Sequence, residues 1–111
     1  MSHLNHTFDA GSSTLKITVD GEILSTNVEQ LRTGIFGLLD GEKAFPLEWT
    51  VLNLDVSKSQ MIDSAGLNLV VMLTKFVKNR GAKMAVTVHN PNIHRTFLFT
   101  RLDKQLDLVV V

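Results

Sequence analysis

The spacing of hydrophobic positions changes several times along the chain, and each change marks an element. Between residues 13 and 19, Leu15, Ile17 and Val19 alternate with Thr14, Lys16 and Thr18. A period of two places the apolar side chains on one face of a half-buried strand. A short strand over residues 8–10 is expected before it. Asp20-Gly21 is a turn signal, after which residues 22–24 continue in extended form. The period then changes. Val28, Leu31, Ile35, Leu38 and Leu39 lie along one stripe of a helix, and Thr26 with Glu29 has the spacing of a capping box. Gly34 and Gly37 weaken that helix by about 1 kcal/mol each relative to Ala, and they permit close packing. Asp40-Gly41 ends it, and Pro46 falls in the following loop.

Residues 49–54 read as a strand, with Val51, Leu52 and Leu54 apolar. Residues 55–60 are polar and irregular. A long helix is expected from Asp63-Ser64 to about Arg80. Gly81 then takes the position just past it, where left-handed backbone is often needed. Residues 83–89 alternate again, with Met84, Val86 and Val88 on one face. Asn90-Pro91 opens a third helix: Asn can cap, Pro suits the first helical position, and Ile93, Phe97 and Leu98 form the apolar side. Residues 106–111 form a last strand. Strands alternating with helices predict one α/β domain over residues 1–111, built with crossover connections. Residues 1–6 are polar and are expected to be a disordered N-terminus. No repeat, linker or low-complexity tract interrupts this order.

Composition narrows the function. Of 111 residues, 44% are apolar and 20% charged, enough to build a core and too few charges for a disordered chain. Eleven basic residues balance eleven acidic ones, so no long-range field gathers phosphate backbones and nucleic acid is not an expected partner. The chain has no cysteine. That excludes disulfide scaffolds and thiolate metal sites and suits a reducing compartment. No apolar run approaches the roughly 20 residues of a membrane span, and the first residues lack the apolar core of a signal peptide. A cytoplasmic protein without membrane insertion is expected.

Signatures of catalysis are missing. There is no phosphate-binding loop and no dinucleotide glycine pattern. His3, His6, His89 and His94 lack metal-ligand spacing, so neither a metal nor another cofactor is expected. Asp63 stands beside Ser64, but no histidine adjoins them to complete a nucleophile–base set. An enzyme is therefore not expected.

Asp63-Ser64-Ala65-Gly66 occupies a loop-to-helix junction, where backbone N–H groups are unpaired and the helix dipole is positive. Either Asp63 or Ser64 suits the cap. Alternatively, the Ser64 hydroxyl is a phosphorylation site, since helix N-termini accept phosphate and the modification adds about −1.5 to −2 charges. On a helical wheel, Leu69, Leu73, Phe76 and Val77 lie opposite Ser64 with Gly66, which predicts the core face. Asn68, Lys75, Lys78 and Asn79 lie on the other side. Leu67 and Val71 project among them, as a docking patch or as residues covered by a neighbouring loop.

The segment Val51-Leu52-Asn53-Leu54, a loop, then Met61-Ile62-Asp63-Ser64-Ala65-Gly66-Leu67 resembles the STAS domain family, in particular the bacterial anti-sigma-factor antagonists. Gly21-Glu22-Ile23 resembles the family's Gly-Glu-Leu element. Asn90-Pro91 through Phe97 resembles its Pro-initiated helix, and residues 102–110 its closing segment. The resemblance covers nearly the whole chain. It implies a mixed sheet of four to five strands with helices packed mainly on one face. It also implies that Ser64 is phosphorylated by a GHKL-type serine kinase that is itself the anti-sigma factor, and that a PP2C-type phosphatase reverses this. The implied docking residues are Asp63, Ser64, Ala65, Gly66, Leu67, Asn68, Val71 and Lys75. Two features depart from the family pattern: Leu24, followed by Ser25, stands where these antagonists often carry an acidic residue, and the loop of residues 55–60 is slightly longer. The competing reading is a STAS scaffold that docks an ATPase in a transport assembly without phosphorylation. A small-molecule or nucleotide sensor is the third.

Overall fold

The computed structural model describes residues 4–40 and 49–111. Five strands form one sheet: β1 (Leu4–Asp9), β2 (Thr14–Val19), β3 (Val51–Asp55), β4 (Lys83–Val88) and β5 (Asp107–Val110). Three helices connect them: α1 (Val28–Asp40), α2 (Ser64–Asn79) and α3 (Pro91–Phe99), the last followed by a short 3-10 turn, Leu102–Lys104. The strand order is β1-β2-β3-β4-β5. β1 runs antiparallel to β2, while β2, β3, β4 and β5 are mutually parallel.

This order decides where the helices go. Parallel strands need crossovers, crossovers are right-handed, and each here steps to the next strand in the same direction. All three helices therefore lie on one face of the sheet. The core sits between them: Leu15, Ile17, Val19, Leu52, Leu54, Met84, Val86 and Val88 from the strands meet Leu31, Ile35, Leu69, Leu73, Val77, Ile93 and Phe97 from the helices. Each such side chain, fully buried, contributes about 1.5–3 kcal/mol. The mixed α/β sheet anticipated from the sequence is thus present, with five strands.

Among the described residues no helix covers the other sheet face, which carries polar pairs. Lys16 pairs with Asp55 at 3.3 Å across β2 and β3, and the Thr87 hydroxyl donates to Asn53 Oδ1 at 3.1 Å across β3 and β4. β4 is central enough that Ala85 and Thr87, on this bare face, are buried as well.

Some boundaries differ from the sequence reading. Leu4, Asn5 and His6, placed in a disordered tail, form the first half of β1: they pair with Val19, Thr18 and Ile17 of β2, and Leu4 packs against the margin of the core. Residues 22–24 contribute only a single bridge, Ile23 to Ile62, rather than a strand. Glu29 does not close a capping box on Thr26; its carboxylate accepts from Arg32 at 2.7 Å. Asn27 instead braces this turn, accepting from the Leu24 N–H and donating to the Glu22 carbonyl. Gly41 and Pro46 lie outside the described residues. Gly81 has the left-handed backbone expected of it, with φ +82°.

Candidate docking and modification site

α2 begins where two loops meet. Asp63 is its N-cap, in extended backbone, and its Oδ1 accepts from the Gly66 N–H at 2.9 Å. Its Oδ2 accepts from the Ser25 N–H at 2.8 Å. These bonds, Gly66 foremost and Ser25 next, hold the Asp63 carboxyl below the usual carboxylate range. The same two loops exchange backbone bonds: the Ile23 N–H donates to the Met61 carbonyl at 3.1 Å, and the Asp63 N–H to the Ile23 carbonyl at 3.3 Å. The buried hydroxyl of Ser59 donates to the Gly21 carbonyl. Residues 55–60, irregular by composition, are therefore fixed in place.

Gly66 makes this close approach possible. A Cβ there would meet the Ile23 carbonyl oxygen, Ile62 Cγ1 at 2.7 Å and Ile23 Cγ2 at 2.9 Å. The contact is with the Ile23–Ile62 bridge, so Gly66 joins helix to loops rather than helix to the sheet body.

With Asp63 capping, Ser64 is left as the first helical residue. It is exposed, and its hydroxyl makes no side-chain hydrogen bond among the described residues. Asn68 and Lys75 are exposed as well, while Ala65, Leu67 and Val71 are half-buried and Gly66 is buried. Leu67 and Val71 pack against the margin of the core, so neither stands fully clear in solvent. The predicted core face of α2 is observed, with Phe76 half-buried edge-on against Phe36. It is wider than the wheel indicated, because α2 crosses the middle of the sheet between α1 and α3. Val70 and Thr74 are buried there too.

Met61 belongs to the segment singled out in the sequence but not to the docking residues expected there. It is 59% exposed, two residues before the cap. Its signal was an apolar side chain directly after the polar run Ser57-Lys58-Ser59-Gln60. Beside it a groove of about 250 Å³ runs between Gln60, Met61 and Ile62 and the first turns of α3, at Asn92 and Thr96. A second groove of about 250 Å³, with Ala65, Asn68 and Met72 on one side and Val28 and Arg32 on the other, separates α2 from α1. The exposed start of α2 thus stands between two shallow apolar-floored depressions, a relief that suits a protein partner better than a small substrate. Among the described residues, no three His, Asp or Glu side chains are placed to hold a metal, and no helix is long and apolar enough to cross a membrane.

The STAS domain family model matches residues 8–109. The chain belongs to the STAS domain family. No curated protein sequence matches it. Among solved structures, a protein described as a candidate anti-sigma factor antagonist from Thermotoga maritima aligns at TM-score 0.79 and 18% identity, over 96% of this chain and 85% of that one. An anti-sigma factor antagonist from Mycobacterium paratuberculosis aligns at TM-score 0.75 and 19% identity, over 96% and 85% of the two chains. The Bacillus cell fate determinant SpoIIAA, in its phosphorylated form, aligns at TM-score 0.66 and 18% identity, over 97% of this chain and 90% of that one. At these identities the likeness is one of fold. Within this STAS domain, the matched residues include the junction of β3, the loop that follows it and α2 described above.

Proposed function

We propose that this STAS domain is an anti-sigma-factor antagonist: a partner-switching regulator whose docking surface is the exposed start of α2 and whose state is set by reversible phosphorylation of Ser64. The observation that carries this reading is the division of labour at the helix N-terminus. Asp63 does the capping, which leaves the Ser64 hydroxyl exposed, unbonded and beside the free N–H groups of the first turn. A phosphate there gains from the helix dipole, so the modification leaves the fold in place while changing the local charge. The solved proteins of like fold support the reading by their descriptions: two are anti-sigma factor antagonists, and one of these, SpoIIAA, is described in both phosphorylated and unphosphorylated forms.

In this reading Ser64, Asn68 and Lys75 present polar contacts to the partner. Ala65, Leu67 and Val71 supply the apolar shoulder. Asp63 and Gly66 hold the surface in shape from beneath. The partner is an anti-sigma factor that is also a GHKL-type serine kinase, and a PP2C-type phosphatase returns Ser64 to its hydroxyl form. The domain performs no chemistry itself; Ser64 is the substrate of its partner. Mass spectrometry of the protein from its native cells tests the modification. A phosphate localised to Ser64 is the expected result. Ser64 unmodified under every growth condition would instead favour a scaffold that docks an ATPase through the same helix.

A further inference from the structure

The two edges of the sheet differ in chemistry. β1 presents the exposed polar side chains of Asn5, His6, Thr7 and Asp9. β5 presents Leu108, Val109 and Val110, followed by Val111, with no charged side chain and no proline among residues 108–111. An unprotected edge strand offers a row of unpaired N–H and C=O groups, and monomeric proteins normally blunt such an edge. Here most of the exposed large apolar side chains of the described residues gather beside it. Among the described residues six large hydrophobic side chains are exposed, and five of them are at this edge: Val109, Val110 and Val111 on the strand, and Leu98 and Phe99 at the end of α3, with Phe99 79% exposed. Leu98, Leu106 and Val110 line one groove of about 350 Å³ between α3 and β5, with His94, Asp103 and Asp107 on its polar side.

The backbone fixes how another strand would pair. The Val111 N–H donates to the Val88 carbonyl at 2.9 Å. Backbone groups alternate along a strand, so those of Asp107, Val109 and Val111 turn towards β4 while those of Leu108 and Val110 turn outward. An antiparallel copy of the same strand meets these outward groups in one register that pairs all of residues 107–111. Leu108 stands opposite Val110 of the partner subunit, and each exchanges both backbone bonds. Val109 faces its own counterpart at the two-fold axis in a non-hydrogen-bonded pair, and Asp107 faces Val111 rather than a second Asp107. Like charges are thereby kept apart across the seam.

We propose that β5 is the seam of a homodimer in which a second copy of this chain adds its β5 antiparallel across a two-fold axis, with Leu98 and Phe99 of both α3 helices closing over the junction. The surface area is in scale with that occupant. The exposed apolar side chains at this edge, counted over both sheet faces, amount to roughly 500 Å², in the upper half of the range of about 300–600 Å² for a monomer's largest patch and more than half of the ~800 Å² per partner of a standard interface. The newly paired strand edge adds to it. The chain carries no net charge, so two copies approach without repulsion. This seam is independent of the Ser64 surface.

The absence of cysteine makes the test direct. Val109→Cys introduces a single thiol at the two-fold axis, where the short Cβ–Cβ distance of a non-hydrogen-bonded antiparallel pair suits a disulfide. Under mild oxidation the variant is expected to form a covalent dimer much faster than Asn5→Cys on the opposite edge. The wild-type protein is expected to sediment as a dimer, and Val109→Lys as a folded monomer with an unchanged circular dichroism spectrum. Wild-type protein that sediments as a monomer up to its solubility limit would overturn the proposal. So would a dimer that survives Val109→Lys, or cross-linking through Val109→Cys no faster than through Asn5→Cys.

Discussion

The Asp63 carboxylate accepts a hydrogen bond from the Ser25 backbone N–H at 2.8 Å, across 38 positions of sequence. One oxygen thus caps α2 while the other fastens the turn before α1 to it. The position of Ser64 depends on both bonds. Asp63→Ala is expected to lower the melting temperature by several degrees, as loss of a helix cap does, and to weaken partner binding even though Ser64 is retained. Asp63→Asn keeps an acceptor on only one side and is expected to fall between the two. Thermal denaturation read beside a binding assay separates the effects.

Two glycines predict opposite signs. Gly66→Ala forces a methyl group against the Ile23 carbonyl and the Ile62 side chain, and is expected to destabilise by about 1–3 kcal/mol. Gly37→Ala on α1 meets nothing within 4 Å, and is expected to stabilise by about 0.5–1 kcal/mol. Urea denaturation of both variants, with unchanged m-values, checks the pair.

Two carboxylates give an acid limit. At Asp55 burial favours the neutral form, but hydrogen bonds from Ser57 and the Lys16 ion pair outweigh it and lower the pKa. Asp63 is lowered by the Gly66 and Ser25 N–H groups. A group whose pKa is lower folded than unfolded adds stability above its unfolded pKa, and loses it as pH falls through the folded value. With unfolded aspartates near ~3.9, both contributions are expected to be intact at neutral pH and to disappear as the pH falls below about 4. Melting temperatures measured against pH are expected to drop less steeply in this range for Asp55→Asn and Asp63→Asn than for the wild type.

Met61 separates docking from folding. Its side chain is 59% exposed, so Met61→Ala is expected to change stability by less than about 0.5 kcal/mol. If Met61 anchors the partner beside α2, affinity is expected to fall about tenfold, or ~1.4 kcal/mol. Calorimetric titration with the partner measures one, and urea denaturation the other. An affinity equal to wild type would place the partner on the α1 side of α2 instead.

Much of this architecture is legible in the sequence because local rules and tertiary packing agree. The period-two run in β2, the Asn90-Pro91 start of α3 and Gly81 after α2 each have a local physical cause, and the structure places each as anticipated. The disagreements occur where long-range pairing decides. β1 is held by hydrogen bonds to β2 and by Leu4 and Phe8 at the core margin, and with His6 between them that apolar alternation is too sparse to announce the whole strand. Glu29 matches a capping-box spacing, yet Asn27 and Arg32 take the available partners. At the candidate site the sequence leaves two caps open. Asp63 takes that role because its second oxygen also reaches Ser25, a contact no local pattern contains. Val70 and Thr74 were missed because a wheel assumes one packed face, whereas α2 has neighbours on both flanks.

The most direct test is binding of the proposed partner kinase to three forms of this STAS domain: wild type, Ser64→Ala and Ser64→Asp, with the kinase held in its nucleotide-bound state. Wild type and Ser64→Ala are expected to bind alike. Ser64→Asp is expected to lose at least tenfold in affinity, and Ser64→Ala to stay bound under conditions in which wild type is phosphorylated and released. Equal binding by all three forms, with wild type never released, would contradict the account.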